Sequence, residues 1–161
     1  MSTTAPTRAA PRYWEDVNEG EELSTLRFPI TVYRLVMAAG ANRDFNAIHH
    51  NSEFAKASGA PDMYANNMFL QGMWERCVRD YIGLGGVIRK LSGFRMKSFN
   101  VVGDTVVVKG HVVRKWLDGT NAYVECEIRS ENSRGVTVGP GRVVATMPRA
   151  RPAASAGRTA E

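Results

Sequence analysis

The segment NNMFLQGMWERCVRDY, residues 66–81, carries the clearest structural pattern in the sequence. Its apolar side chains recur at helical spacing and cover most of the circumference of a helix: Phe69, Leu70, Met73, Trp74, Cys77, Val78 and Tyr81. A helix with so wide an apolar arc is surrounded by other structure and not merely docked along one stripe. We therefore expect a buried central helix over residues 66–81.

After this helix the apolar period changes to two. Four segments are rich in Val, Ile and Thr, as strands are, and they cover residues 87–96, 105–116, 122–130 and 136–147. Asp118-Gly119 predicts a hairpin turn, and Gly139-Pro140-Gly141 predicts a bulge or edge irregularity. Long antiparallel strands after one apolar helix predict an α+β domain with the helix against the sheet.

The segment before the central helix predicts a short strand and two further helices. Residues 26–30 form the strand, and Thr31 stands where a helix N-cap belongs. A short helix over residues 53–58 follows, capped by Asn51 or Ser52. The first helix has apolar residues at i, i+3, i+4 and i+7, which predicts one buried face: Val32, Leu35, Val36 and Ala39.

Length and composition indicate one globular domain. The chain has 161 residues, enough for a single domain with a real core. No apolar run reaches the roughly 18 to 20 residues that a bilayer span needs, and residues 1–11 contain no signal-peptide apolar region. We therefore expect a cytoplasmic protein without a membrane segment. The predicted domain covers residues 13–148, between disordered tails at 1–12 and 149–161.

The net charge of +5 comes largely from these two ends, which carry Arg8, Arg12, Arg149, Arg151 and Arg158. The simplest interpretation is two solvated tails. The alternative is attraction to an anionic ligand. Nucleic-acid binding is not expected, because the sequence shows no aromatic and basic stacking surface.

The two cysteines, Cys77 and Cys126, lie in apolar patterns and form no CxxC pair or Cys/His cluster. We therefore interpret both as core residues, and we expect no metal site.

One loop concentrates polar chemistry: Asp44-Phe45-Asn46-Ala47-Ile48-His49. An imidazole exchanges protons near neutral pH, and a neighbouring carboxylate can share the same water or orient the ring. Asn46 can hold the loop by bonding to the backbone, while Phe45 and Ile48 can pack inward. Taken alone, such a cluster is more often capping and turn chemistry than a catalytic site.

The order of these elements resembles the MaoC-like family of R-specific enoyl-CoA hydratases and hydroxyacyl dehydratases. The family's loop pattern, roughly G-D-x-N-P-[IL]-H, matches residues 43–49, which follow Tyr33-Arg34. Residues 13–20 are similar to the family's opening, and residues 103–106 are similar to its G-D-T-[LV] strand entry. The resemblance covers roughly residues 12–148.

The resemblance implies a hotdog fold, in which a long antiparallel sheet wraps around the central helix. It also implies that Asp44 and His49 are the catalytic pair and that Asn46 supports them. In that family the pair holds a water that adds to C3 of a trans-2-enoyl thioester while C2 receives a proton; dehydration is the reverse. Neither a metal nor another cofactor takes part, and the substrate is linked to coenzyme A or to an acyl carrier protein.

The family's P-I-x-H-G turn, which precedes the central helix, provides a backbone N–H for the thioester oxygen. The matching residues are 63–67, with Asn66 for His and Asn67 for Gly, so the resemblance assigns this donor to the N–H of Asn67. Tyr64, Asn66 and Met68 are candidate substrate-binding residues. Tyr64, Met68, Met73 and Trp74 can line an acyl tunnel, but core packing is the more common role for such residues.

Further departures are Arg43 for Gly and Ala47 for Pro. Together with the Asn pair, they resemble the small MaoC-like subunit of actinobacterial steroid enoyl-CoA hydratases, which pairs with a different hotdog subunit. Open sheet edges also predict association. We therefore expect a homodimer or a heteromer with a second hotdog subunit.

Two alternatives stay open. A hotdog thioesterase usually needs an acid on or near the central helix, where Glu75 and Asp80 lie beyond the first turns. A non-catalytic hotdog subunit that completes a partner's acyl tunnel is the other alternative. Outside the loop, His50 is interpreted as a surface residue and His111 as a structural strand residue.

Overall fold

The computed structural model describes residues 12–150. The expected tail segments at 1–11 and 151–161 lie outside the described residues. The structure contains three α-helices, namely α1 (Val32–Ala41), α2 (Ser52–Ala57) and α3 (Asn67–Ile82), and short 3-10 turns at Trp14–Asp16 and Ala47–His49. Its strands are β1 (Leu26–Pro29), β2 (Val87–Ser92), β3 (Thr105–Asp118), β4 (Asn121–Asn132) and β5 (Gly135–Met147).

All five strands form one antiparallel sheet in the order β1-β3-β4-β5-β2. The predicted strands are confirmed, although β2 is shorter than expected because Gly93 takes a positive φ of 68° directly after Ser92. Burial alternates along β4, where one face carries Val124, Cys126 and Ile128. This alternation is typical of a sheet with one face on a core.

Helix α3 lies against that inner face, as its wide apolar arc predicts. Trp74 is completely buried, and its Nε1 donates a hydrogen bond to Ser130 Oγ on β4 at 2.8 Å. On β5, Gly139 faces the same indole, and a Cβ there would lie 2.7 Å from the ring. The predicted bulge is present, because the register between β4 and β5 shifts between Ile128 and Ser130. The strand thus bends around the tryptophan, and only glycine fits at the contact.

The two cysteines are buried and free, as expected. Burial raises the pKa of the Cys77 thiol to about 11 and that of the Cys126 thiol to about 12. Both are therefore unreactive packing residues near neutral pH.

The predicted start of α1 is confirmed, since the Thr31 side chain accepts a hydrogen bond from the Arg34 N–H at 3.2 Å. Its predicted buried face is wrong in part. Leu35 and Ala39 are buried, but Val32 and Val36 are 51% and 47% exposed. Helix α1 docks along a narrow stripe, so periodicity identified the apolar residues but not how many of them are covered.

The two ends of the domain meet. The Trp14 N–H donates to the Pro148 carbonyl at 2.9 Å, and Arg149 forms an ion pair with Glu15 at 3.1 Å. Arg12 lies 4.0 Å from the centre of the Tyr81 ring. Arg12 and Arg149, which fall within the predicted tails, thus contact the domain. Within residues 12–150, no helix is both long and apolar enough to cross a membrane.

Candidate active site

The site begins where α1 ends. Arg43 follows the helix with φ of 54°, the one non-glycine residue with positive φ in the described part of the chain. Its N–H donates to the Gly40 carbonyl at 3.1 Å, and the next N–H, of Asp44, donates to the Ala39 carbonyl at 2.9 Å. The left-handed conformation is one that glycine adopts freely and other L-residues adopt at a cost. Glycine, which the family pattern has at this position, would adopt the same conformation without strain.

Asn46 holds the following turn. Its Oδ1 accepts a hydrogen bond from the Ile48 N–H at 3.2 Å and caps the 3-10 turn Ala47–His49. Ile48 packs against the core, as expected. Phe45 does not, because it lies before the turn on the outer side of the loop and is 72% exposed. His50 is exposed, in agreement with its interpretation as a surface residue.

The loop brings Asp44 and His49 together. Asp44 Oδ2 lies 3.1 Å from His49 Nε2, and the side chains are 37% and 7% exposed respectively. The imidazole is therefore enclosed, while the carboxylate keeps an open side. Solvent or a substrate can reach the pair through Asp44.

A backbone carbonyl fixes the orientation of the imidazole. His49 Nδ1 lies 2.8 Å from the carbonyl oxygen of Tyr64. A carbonyl oxygen only accepts hydrogen bonds, so the network assigns a proton to Nδ1. His49 Nε2 then faces Asp44 Oδ2 at 3.1 Å. The arrangement can accept and return a proton at the open side of Asp44.

Asn66 joins this pair to the central helix. It is 6% exposed, and its Nδ2 donates to Asp44 Oδ2 at 3.1 Å. Its Oδ1 accepts from the Phe69 N–H at 2.8 Å, so Asn66 is also the N-cap of α3. The side chain suggested as a substrate contact is thus surrounded by protein groups.

The residue after Asn66 begins helix α3. The N–H groups of Asn67 and Met68 have no hydrogen-bond acceptor among the described residues, whereas the Phe69 N–H is capped. Free N–H groups at a helix N-terminus, aligned with the helix dipole, attract developing negative charge. The structure thus has an available donor at the position expected for the oxyanion contact.

The other candidate residues divide between core and surface. Tyr64 is half-buried, and its ring packs against Phe99 with centroids 4.7 Å apart. Met73 and Trp74 are core residues, with 2% and 0% exposure. Met68 is 61% exposed, so it is a surface residue beside the helix N-terminus.

Met68 lines a cavity of about 590 Å³ between α1 and α3. Its walls are mainly apolar, and the side of α1 that faces it carries Tyr33, Met37, Ala38 and Ala41. Asn42 lies at the cavity wall where α1 ends, two residues before Asp44. Of the residues that the sequence suggests for an acyl tunnel, Met68 and Met73 line this cavity, whereas Tyr64 and Trp74 do not. The α1 side was not predicted, although Tyr33 and Met37 at i and i+4 mark a second apolar stripe on that helix.

The acids proposed for a thioesterase lie elsewhere on α3. Glu75 accepts a hydrogen bond from Gln71 at 3.0 Å, and Asp80 pairs with Arg76 at 2.8 Å. Both are exposed. Among residues 12–150, no group of three His, Cys, Asp or Glu side chains is arranged to hold a metal.

Comparison with known proteins found one curated relative from Mycobacterium tuberculosis, the 3-oxo-4,17-pregnadiene-20-carboxyl-CoA hydratase beta subunit. It is 33% identical over 78 residues, which are 48% of this chain and 60% of the relative. The match thus spans less than two thirds of that relative's length. No family profile matches the chain.

Solved structures match over more of the chain. The ChsH1-ChsH2 complex from Mycobacterium tuberculosis contains a chain with a TM-score of 0.72 and 27% identity, over 82% of this chain and 98% of that one. A MaoC-like dehydratase from Rhodospirillum rubrum has a TM-score of 0.70 and 19% identity, over 88% and 99% of the two chains. These matches confirm the predicted resemblance to MaoC-like hydratases and dehydratases, and the chain has their hotdog fold.

Proposed function

We propose that this chain is a hydratase or dehydratase that interconverts 2-enoyl and 3-hydroxyacyl thioesters, with Asp44 and His49 as its catalytic pair. The observation that carries the proposal is the contact of 3.1 Å between Asp44 Oδ2 and His49 Nε2. It occurs in the loop that matches the family pattern. The Asn66 side chain links this pair to the start of α3, where the Asn67 N–H has no acceptor among the described residues.

In hydration, a water bound at the open side of Asp44 attacks C3 of the enoyl group. The Asp44–His49 pair accepts one proton from that water as the C3–O bond forms. Electrons of the C2=C3 bond move toward the thioester carbonyl, and its oxygen becomes negative. The Asn67 N–H stabilises that oxygen, as fixed donors do for developing charge. The pair then returns its proton to C2, so that it ends as it began; dehydration runs through the same steps in reverse.

The acyl group occupies the cavity between α1 and α3. A volume of about 590 Å³ with mainly apolar walls suits a large apolar acyl group, because ligand sites for drug-sized molecules fall in this range. The name of the curated relative specifies a coenzyme A thioester of a steroid acid. We therefore favour coenzyme A thioesters with bulky acyl groups over short-chain substrates.

The active form is a heteromer with a second hotdog subunit. The support is the ChsH1-ChsH2 complex, one chain of which matches this one with 27% identity. Exposed apolar residues around the cavity, such as Tyr33 at 72% and Met37 at 55%, also favour a covering partner. A homodimer is the alternative assembly.

A non-catalytic role is the second candidate function. The curated relative is named a beta subunit, so this chain can instead complete the acyl tunnel of a catalytic partner. The two roles differ in one respect: only a catalytic subunit loses activity when Asp44 or His49 is replaced.

The test is an assay of the full chain, alone and with a co-expressed second MaoC-like subunit. The substrates are crotonyl-CoA, a longer enoyl-CoA and a steroid enoyl-CoA. The readout is loss of the absorbance of the conjugated 2-enoyl thioester. Free-thiol release is followed in parallel and would indicate a thioesterase. His50→Ala serves as the matched control for His49→Ala, because His50 is the exposed neighbour. Activity that survives both Asp44→Asn and His49→Ala would assign the chemistry to the partner.

A further inference from the structure

Four side chains form a continuous hydrogen-bond chain across the site. Asn42 Nδ2 donates to Asn66 Oδ1 at 3.2 Å, and Asn66 Nδ2 donates to Asp44 Oδ2 at 3.1 Å. Asp44 Oδ2 in turn lies 3.1 Å from His49 Nε2. Of these four residues, Asn42 has no role in the proposed reaction.

The orientation of the Asn66 amide follows from its partners. Its Oδ1 faces two donors, the Phe69 backbone N–H at 2.8 Å and Asn42 Nδ2 at 3.2 Å. If the amide flipped, Nδ2 would face these donors and Oδ1 would face the Asp44 carboxylate. Both contacts would then be unfavourable, because one would place a donor against donors and the other an acceptor against an acceptor. Asn42 therefore helps to keep the donor end of Asn66 on Asp44.

The position of Asn42 suits such a role. It is the C-cap of α1, and its own N–H donates to the Ala38 carbonyl at 2.9 Å, so its backbone is anchored. Its half-buried side chain contacts Asn66, 24 residues away in sequence, and extends toward the start of α3. The contact thus connects the end of one helix to the beginning of another.

We propose that Asn42 is a positioning residue that acts through Asn66 on the Asp44 carboxylate. This inference rests on the proposed function. Asn66 binds Asp44 with one end of its amide and caps α3 with the other, and the next N–H, of Asn67, is the proposed oxyanion donor. Asn42 thereby holds the acid–base pair and the oxyanion donor in one fixed arrangement.

A double-mutant cycle tests this role in the complex that is active in the assay. We expect Asn42→Ala to lower kcat by roughly tenfold, because the alignment of the Asp44 carboxylate is lost, whereas a change in KM alone would report on the cavity wall where Asn42 lies. In the Asn66→Ser background, where a serine still caps α3, Asn42→Ala should lower kcat by less than about twofold. An equal fall in kcat in both backgrounds, or no fall in kcat in the native background, would overturn the inference.

The isosteric variant separates positioning from packing. Asn42→Asp keeps the shape of the side chain but replaces the donor with an acceptor that faces Asn66 Oδ1. We expect Asn42→Asp to be less active than Asn42→Ala, whereas a packing role predicts the opposite order. Asn51→Asp is the matched control, because Asn51 caps α2 through its oxygen and this contact survives the change. Thermal unfolding of each variant checks that it is folded.

A measurement without turnover distinguishes this inference from the proposed function. The side-chain amide resonance of Asn66, assigned by its loss in Asn66→Ser, should shift in both Asn42→Ala and Asp44→Asn. An unchanged resonance overturns the inference whether or not the protein is active. A shifted resonance in a protein that turns over none of the thioesters contradicts the proposed function and leaves the Asn42 linkage supported.

Discussion

His49 is held by Tyr64: its Nδ1 lies 2.8 Å from the Tyr64 carbonyl oxygen, and the two rings meet edge to face with centroids 5.2 Å apart. Tyr64 lies two residues before Asn66, the N-cap of α3. The imidazole is therefore oriented by the same segment that begins the central helix. This contact explains how a loop histidine can keep one tautomer and one orientation of its ring.

Arg43 provides a test of the loop conformation. Because its φ is 54°, Arg43→Gly should be more stable than Arg43→Ala by about 1 kcal/mol, since alanine keeps the left-handed strain and glycine removes it. Denaturant unfolding of both variants measures the difference. A more stable alanine variant would show that the chain does not hold this conformation in solution. Gly40→Ala is the control, because Gly40 lies in α1 with a negative φ and open space around it, so alanine should stabilise there.

Gly72 tests the acyl cavity. It is an exposed residue of α3 that lines the cavity, and a Cβ there would meet no atom within 4 Å. Gly72→Leu should therefore fold and partly fill the cavity. We expect the KM for a steroid enoyl-CoA to rise by roughly tenfold, because a few apolar contacts with its acyl group are lost. The KM for crotonyl-CoA should change by less than about threefold.

Gly72→Ala is the matched control for that variant. It should improve helix stability by about 0.5 to 1 kcal/mol and leave the cavity open. An equal rise in KM for both substrates in Gly72→Leu would show that the acyl group does not occupy this cavity.

Gly139 tests the packing of β5 on α3. A Cβ there would lie 2.7 Å from the Trp74 ring, and φ is 80°, so Gly139→Ala should destabilise the fold by about 2 to 4 kcal/mol. Gly135→Ala isolates the backbone contribution, because φ is 114° but the surrounding space is open. The Gly135 variant should lose about 1 kcal/mol. Similar losses in the two variants would mean that the tryptophan contact contributes little.

Periodicity was enough to predict the main elements. Helix α3 begins at Asn67 with Asn66 as its cap, within one residue of the expected start, and all the predicted strands are present. The wide apolar arc of α3 and the alternation along β4 are local sequence patterns, and the burial of these residues in the structure follows them. The contact of Asp44 with His49 also lies within six residues, so one loop conformation brings the pair together.

Features that depend on distant contacts could not be predicted in the same way. The exposure of Val32, Val36 and Phe45 depends on what covers them, and periodicity does not contain that information. The Asn42–Asn66 contact joins residues 24 positions apart, and it forms only when the end of α1 lies beside the start of α3. From the local sequence, Asn42 is predicted only to end a helix.

The catalytic role of the pair is tested by the rate of steroid enoyl-CoA hydration in the complex that contains Asp44→Asn, His49→Ala or both. We expect each single change to lower kcat by at least about a hundredfold, because each removes the shared proton acceptor. The double variant should be no more than a few-fold slower than either, since residues that act as a unit are not additive. His50→Ala should retain near-native activity. Near-native rates for Asp44→Asn and His49→Ala in folded complexes would show that this pair does not activate the water.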